Sequence, residues 1–219
     1  MAVIPKTQEP LVITRRHHHR LALAAVALPL ISLSPAAHAA TVGQAAPPFE
    51  LKGVSGKTVR LADFRGRHVV LEWTNPGCPF VVKHYGAQNM QALQKEFTAK
   101  GVVWLSVSSM APGTTEYLAP TALAAKYKAW GASASDLLID ESGAVGKAYA
   151  AKTTPHMFVV DPKGTLVYAG GIDDKRSANP ADLKDAKNHV RAALDESLAG
   201  KTVSVPTAAP YGCSIKYAS

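Results

Sequence analysis

The stretch Trp73-Thr74-Asn75-Pro76-Gly77-Cys78-Pro79-Phe80 decides how this 219-residue chain is read. Residues 69–74, Val-Val-Leu-Glu-Trp-Thr, predict a buried strand. Asn75-Pro76-Gly77 is turn chemistry, and Pro79 suits the first position of a helix, so Cys78 becomes the N-cap. A helix N-terminus offers unpaired N–H groups and a partial positive charge, both of which favour thiolate over thiol. Reactivity follows the thiolate, so the placement points to a nucleophile.

Working outward, residues 49–61 form two short alternating segments around Ser55-Gly56, which reads as a β-hairpin. Met90, Leu93 and Phe97 recur at helical spacing, and residues 102–107 predict a second buried strand. A helix over 119–130 places Leu123, Tyr127 and Trp130 on one face and stops at Gly131. Strands follow at 137–139, 157–160 and 165–169, the last two joined by Asp161-Pro162-Lys163-Gly164. One last helix is expected to be capped by Asn179, opened by Pro180 and ended by Gly200, with Leu183, Val190, Leu194 and Leu198 along one face. Residues 40–47 read as a soft leader and 201–219 as an irregular tail. Strands alternating with crossover helices imply an α/β layered fold with a mostly parallel centre.

The N-terminus carries targeting chemistry. Arg15, Arg16 and Arg20 precede an apolar run over 21–33, and the small-residue site Ala37-His38-Ala39 follows. That order is a secretory signal peptide over 1–39, with export to a periplasmic or extracellular space and no stable membrane insertion after cleavage. The triplet Thr14-Arg15-Arg16 hints at the twin-arginine route, although His18 and His19 stand where that motif takes apolar residues. The predicted organisation is therefore signal peptide 1–39, domain 40–200 and tail 201–219. Beyond Ala39 the chain keeps 20 basic and 15 acidic residues, so its net charge is +5 and not +8. The basic residues are scattered without aromatic interleaving, which argues against nucleic-acid binding. Both cysteines, Cys78 and Cys213, lie past the signal, where disulfides persist.

A second signal is Lys152-Thr153-Thr154-Pro155-His156-Met157-Phe158-Val159-Val160-Asp161. A proline directly before a buried strand predicts a cis Thr154–Pro155 bond that brings backbone beside the thiol. With these two features, the chain resembles the thioredoxin-fold superfamily. It is most similar to peroxiredoxin-like redoxins of the alkyl hydroperoxide reductase/thiol-specific antioxidant family. The resemblance runs from about Ala46 to Gly171 and includes Gly56-Lys57, Leu61-Ala62-Asp63-Phe64-Arg65-Gly66, the cysteine turn and Phe158-Val159-Val160-Asp161-Pro162-Lys163-Gly164. It implies a thioredoxin-like fold, a central mixed β-sheet flanked by helices, with an N-terminal β-hairpin. It also implies an antioxidant oxidoreductase in which Cys78 attacks a small peroxide or a protein disulfide and a thiol reductant restores it, without a cofactor. The chain departs from the family motif Pro-x-x-x-Thr/Ser-x-x-Cys: Leu71 holds the proline position and Asn75 the hydroxyl position. No arginine stands just before Met157, and neither Asn75 nor Val81 completes a Cys-x-x-Cys pair.

The expected site is a shallow pocket over Cys78 lined by Trp73, Thr74, Asn75, Pro79, Phe80, Thr154, Pro155 and His156. Glu72, six residues before Cys78 in the central strand, is either a proton relay with a raised pKa or a carboxylate paired near the strand end. At about 100° per residue, a regular helix turns His84 away from Cys78. His156 follows the proline and is better placed, as a structural or an active-site imidazole. A metal carrier would draw on Cys78, His84 and His156, without supporting Cys-x-x-Cys or His-x-x-x-His spacing. Cys213 sits behind a leash over 200–212 long enough to reach Cys78 in its own or a neighbouring chain, with Tyr211 and Tyr217 available to hold the tail. It reads as a resolving thiol, a static disulfide partner or a surface thiol. Three functions stay open: a thiol-dependent oxidoreductase, a non-catalytic redox-sensing or binding module, and a metal carrier.

Overall fold

The computed structural model describes residues 1–3 and 39–218. The expected signal peptide, apart from its first three residues and Ala39, lies outside the described residues. The domain is built on a seven-stranded sheet of order β2-β1-β5-β4-β3-β7-β8. Its strands are β1 (Glu50–Gly53), β2 (Thr58–Arg60), β3 (Val69–Trp73), β4 (Val103–Ser108), β5 (Asp136–Ile139), β7 (His156–Val160) and β8 (Leu166–Gly170). The centre, β3-β4-β5, is parallel, and the remaining pairs are antiparallel. β3 and β7 are buried at every position, as expected of central strands covered on both faces.

Helices α1 (Pro79–Gly86), α2 (Asn89–Ala99), α3 (Pro120–Ala129), α4 (Ala144–Ala148) and α5 (His189–Leu198) cover the sheet. Val70, Met90, Leu93, Phe97, Leu123, Val159, Val190 and Leu194 share one core layer. Leu71, Trp73, Val107, Tyr149, Phe158 and Leu166 form the other. The break between α1 and α2 falls at Gln88, which adopts a left-handed φ of 58°. No helix among the described residues is long and apolar enough to cross a membrane.

Two expectations from the sequence need correction. The last helix is two elements: a 3₁₀ turn over Pro180–Asp185, capped by Asn179 Oδ1, and α5, capped afresh by Asn188 Oδ1 through the Arg191 N–H. Ala186 between them is extended, with φ −77° and ψ 131°. The second cap and the bond from His189 N to Ile172 O satisfy orphan donors that a continuous helix would have used internally. The leader is also docked, through Gly43 N to Leu166 O and Ala46 N to Gly164 O.

The tail is irregular, as expected, and it is docked. Residues 201–218 are a strap bound along their length, although only β9 (Cys213–Ser214) is regular. Val203, Tyr211 and Ile215 are buried. Ala169 N bonds Pro206 O and Ala208 N bonds Ala169 O, so the strap flanks the end of β8. It then pairs antiparallel with β6 (Thr153–Thr154), and Tyr217 Oη donates to Ala151 O. Helical or alternating periodicity was absent because most of these bonds are made by the backbone.

The approach at β8 depends on missing side chains. A Cβ at Gly170 would stand 2.4 Å from Ala208 O and 2.7 Å from Ala208 N. Gly170→Ala is therefore expected to push the strap off the sheet edge at a cost of about 1–3 kcal/mol. Denaturant unfolding and limited proteolysis within 203–218 check this. A resistant strap at unchanged stability would contradict the docking described.

Candidate active site

Cys78 caps α1 with extended backbone (φ −83°, ψ 123°), and Pro79 occupies the first helical position. Asn75 builds the turn: its Oδ1 accepts from Gly77 N at 3.0 Å, and its carbonyl accepts from Cys78 N at 3.1 Å. The asparagine at the family's hydroxyl position thus shapes the loop, and its side chain also reaches Glu116. Cys78 is 1% exposed, so the sulfur is sealed and does not floor the expected shallow pocket.

The Thr154–Pro155 bond is cis. Cys78 Sγ donates to the Thr154 carbonyl at 2.9 Å, so the sulfur faces this loop. Thr154 is also the register partner of Cys213, which puts both side chains on one face of the small β6–β9 ladder. The strap passes over through Gly212, whose φ is +139° and whose Cβ would meet Thr154 O at 2.0 Å; only glycine fits. Cys78 and Cys213 are both free thiols, and Thr154 lies between them as hydrogen-bond acceptor to the one and register partner of the other. Burial, then the Cys78 neighbour, pushes the Cys213 thiol up to about 12. The hydroxyl of Thr154 is buried beside them without a partner.

Other expected members of the site are elsewhere. Trp73 points to the opposite core layer, where its indole packs on Tyr149 and Phe158 and donates to Ser109 Oγ at 3.0 Å. Strand alternation separates it from Thr74, whose Oγ1 shares a 2.6 Å bond with Tyr127 Oη. Phe80 meets Tyr211 edge-on, with ring centroids 5.8 Å apart. His156 accepts from Lys152 N through Nδ1 and stacks near Phe158. Burial and nearby Lys152 lower its pKa to about 4, so it is neutral. His84 bonds Tyr211 Oη and Asn89, and therefore does not converge with Cys78 and His156.

Glu72, one residue from the end of β3, is the paired carboxylate of the two expected roles, with no hydrogen bond to Cys78. Its Oε1 accepts from Tyr85 Oη at 2.8 Å, and its Oε2 accepts from Gln94, Trp104 and Ser106 at 3.1, 2.8 and 3.2 Å. Burial raises its pKa, and these four hydrogen bonds oppose the rise. It ties β3, β4, α1 and α2 together beneath the site.

Reading the sequence alone missed Asp173 and Gly212. Asp173 is 3% exposed and accepts from Tyr211 Oη at 2.5 Å. A usable signal existed: Gly170-Gly171 at the end of a strand marks a close backbone approach.

The architecture is thioredoxin-like. Residues 42–169 match the model of the AhpC/TSA family. A 41-residue segment is 46% identical to peroxiredoxin Bcp of Bacillus subtilis (strain 168), covering 17% of this chain and 26% of that protein. The chain thus spans about a quarter of the length of that curated relative. Among solved structures, an uncharacterized conserved protein from Geobacillus kaustophilus is 31% identical, with a TM-score of 0.72 over 81% of this chain and 93% of its own. A hypothetical protein from Sinorhizobium meliloti 1021 is 29% identical, with a TM-score of 0.70 over 83% of this chain and 97% of its own.

Two outcomes follow from the site's electrostatics. Alkylation of Cys213 in the reduced native protein is expected to stay slow through the free-thiol range near pH ~8.5 and to become fast on unfolding. A native midpoint in that range would mean that the strap does not hold Cys213 as described. For Glu72, the raised folded pKa means folding takes up a proton above the unfolded value of about 4.3. Its contribution to stability is therefore lost as pH rises through the folded pKa. Glu72→Gln removes that slope, so wild type should lose stability relative to the variant as pH climbs from 4.3 upward. Paired denaturant melts across pH measure it, and parallel curves would refute the raised pKa.

Proposed function

Because the chain belongs to the AhpC/TSA family, we propose that it is an exported thiol-dependent oxidoreductase in which Cys78 attacks a small peroxide and Cys213 of the same chain resolves the product. One observation carries this reading: two free thiols meet at Thr154, which accepts from Cys78 Sγ and pairs in register with Cys213, under a strap of the same chain. A pair so placed needs no partner chain to form a disulfide.

The steps balance as follows. Cys78, having released the proton it donates to the Thr154 carbonyl, attacks one peroxide oxygen; the S–O bond forms, the O–O bond breaks, and the leaving oxygen takes up that proton and departs as an alcohol or water. Cys213, having given up its proton, attacks the sulfur of the Cys78 sulfenic acid. The S–S bond forms and the S–O bond breaks, and hydroxide takes up the proton to leave as water. An external thiol reductant then returns two electrons through a mixed disulfide. Cys213 is held protonated in the resting state, which suits it to the second step and not the first. The unpartnered Thr154 hydroxyl supplies a polar contact for an oxygen beside the sulfur, in a site without the family's usual hydroxyl position.

The sealed thiol favours a small oxidant, because a protein disulfide would require the whole strap to leave. The same burial supports a second reading, a redox sensor that is oxidised once without turnover. The targeting chemistry of residues 1–39 supports export with cleavage after Ala39.

Reduced protein given one equivalent of peroxide should lose both thiols and form a disulfide within one chain. Cys78→Ser should consume no peroxide. Cys213→Ser should keep a reduced fold of nearly wild-type stability and trap Cys78 as sulfenic, then sulfinic acid. Titration of thiols, intact mass and non-reducing electrophoresis check these outcomes. An interchain disulfide would remove the intramolecular mechanism, and one oxidation without turnover under excess dithiol would favour the sensor.

A further inference from the structure

The β6–β9 ladder that holds Cys213 has only two register pairs, Thr153↔Ser214 and Thr154↔Cys213. So short a ladder fixes the position of a side chain weakly. A second anchor lies two residues upstream. Tyr211 is 7% exposed, and its hydroxyl is held between two buried groups. It donates to Asp173 Oδ1 at 2.5 Å and meets His84 Nε2 at 3.2 Å. Asn89 Nδ2 contacts His84 Nδ1 at 2.8 Å, which leaves Nε2 as the donor toward Tyr211. Asp173 Oδ1 also accepts from Lys175 N, which fixes the carboxylate in its loop.

The ring of Tyr211 is held as firmly as its hydroxyl. Phe80 lies edge-on at 5.8 Å, and Lys83 Nζ sits 5.8 Å from the ring centre. Lys83 itself is tied to the Lys175 and Ser177 carbonyls. Phe80, Lys83 and His84 all belong to α1, the helix that Cys78 caps. The anchor therefore references the strap to the same rigid element that carries the other thiol. Gly212 then turns the chain over the Thr154 carbonyl, and the next residue is Cys213.

We infer that Tyr211 is a positioning residue for the resolving step, setting Cys213 against Cys78 through the buried Asp173–Tyr211–His84 chain. This rests on the reading of Cys213 as the resolving thiol. The hydroxyl acts by restricting where Cys213 can be when Cys78 becomes a sulfenic acid. Loss of that restriction lowers the fraction of time the thiol stands in attacking geometry, and a second peroxide then competes for Cys78.

The experiment oxidises wild type, Tyr211→Phe, Asp173→Asn and Tyr217→Phe with rising hydrogen peroxide and measures sulfinic acid per disulfide by intact mass. That ratio reports the partition after the first step and does not depend on its rate. Tyr211→Phe keeps the ring and removes both hydrogen bonds of the hydroxyl, to Asp173 and His84, so the ratio is expected to rise about tenfold. Asp173→Asn keeps an acceptor for Tyr211 and is expected to fall between. Tyr217→Phe removes a bond on the far side of Cys213, to Ala151 O, and controls for general loosening of the strap. Its ratio is expected to stay near wild type. If wild type itself forms no Cys78–Cys213 disulfide, the resolving role fails. If wild type forms it and Tyr211→Phe partitions as wild type does, or Tyr217→Phe raises the ratio equally, the positioning role fails.

Discussion

The contact on which this site depends is the hydrogen bond from Cys78 Sγ to the Thr154 carbonyl. It joins the strand-to-helix turn after β3 to the loop before β7, and these two strands are paired side by side. Trp73 opposite His156 sets the register, so both loops emerge at one end of the sheet. The edge of β6 is then available to the strap. Cys213 comes to Cys78 because Thr154 serves both, one through its carbonyl and the other through its register position.

That junction needs a rigid floor, and Glu72 supplies it. A carboxylate under a helix layer is unfavourable unless its oxygens are satisfied, and four donors from three elements satisfy them. Tyr85 and Tyr127 extend the polar layer, packed edge to face at 5.2 Å, and Tyr127 meets Thr74 at the start of the cysteine turn. Removing the carboxylate would leave several buried donors unpaired, so the network is more a matter of specifying one arrangement than of adding stability. No hydrogen bond links it to the thiols, which separates what holds the turn from what reacts at it.

The parts legible in the sequence were those whose signal is local. Pro79 after Cys78, the turn chemistry before it and the proline before a buried strand each constrain their own backbone. Trp73 was misplaced although alternation could have separated it: Leu71 and Trp73 share one face of β3, while Glu72 points to the other. The split at Ala186 was hidden because Asn179 and Asn188 are both good caps, and a single apolar stripe runs across the two elements. The strap was least legible. Its order comes from backbone bonds to β8 and β6 and from glycines far away in sequence, none of which gives the tail a periodicity. Asp173 had no signature beyond its loop, since its role appears only when Tyr211 reaches it.

On the proposed chemistry, the strap has opposed effects on the two steps. Cys78 is 1% exposed when the strap is down, so its reaction with peroxide scales with the fraction of molecules in which the site is open. A more stable strap lowers that fraction and slows the first oxidation. The same closed geometry places Cys213 beside the sulfur, so a more stable strap also speeds resolution and shortens the life of the sulfenic acid. Access and protection are thus set in opposite directions by one docking free energy. A long run of regular strand would bias this balance toward closure. The strap instead combines a two-pair ladder, scattered backbone bonds and one buried tyrosine anchor. Lifting it would also take Val203, Tyr211 and Ile215 out of the core, so that apolar burial is part of the same docking free energy.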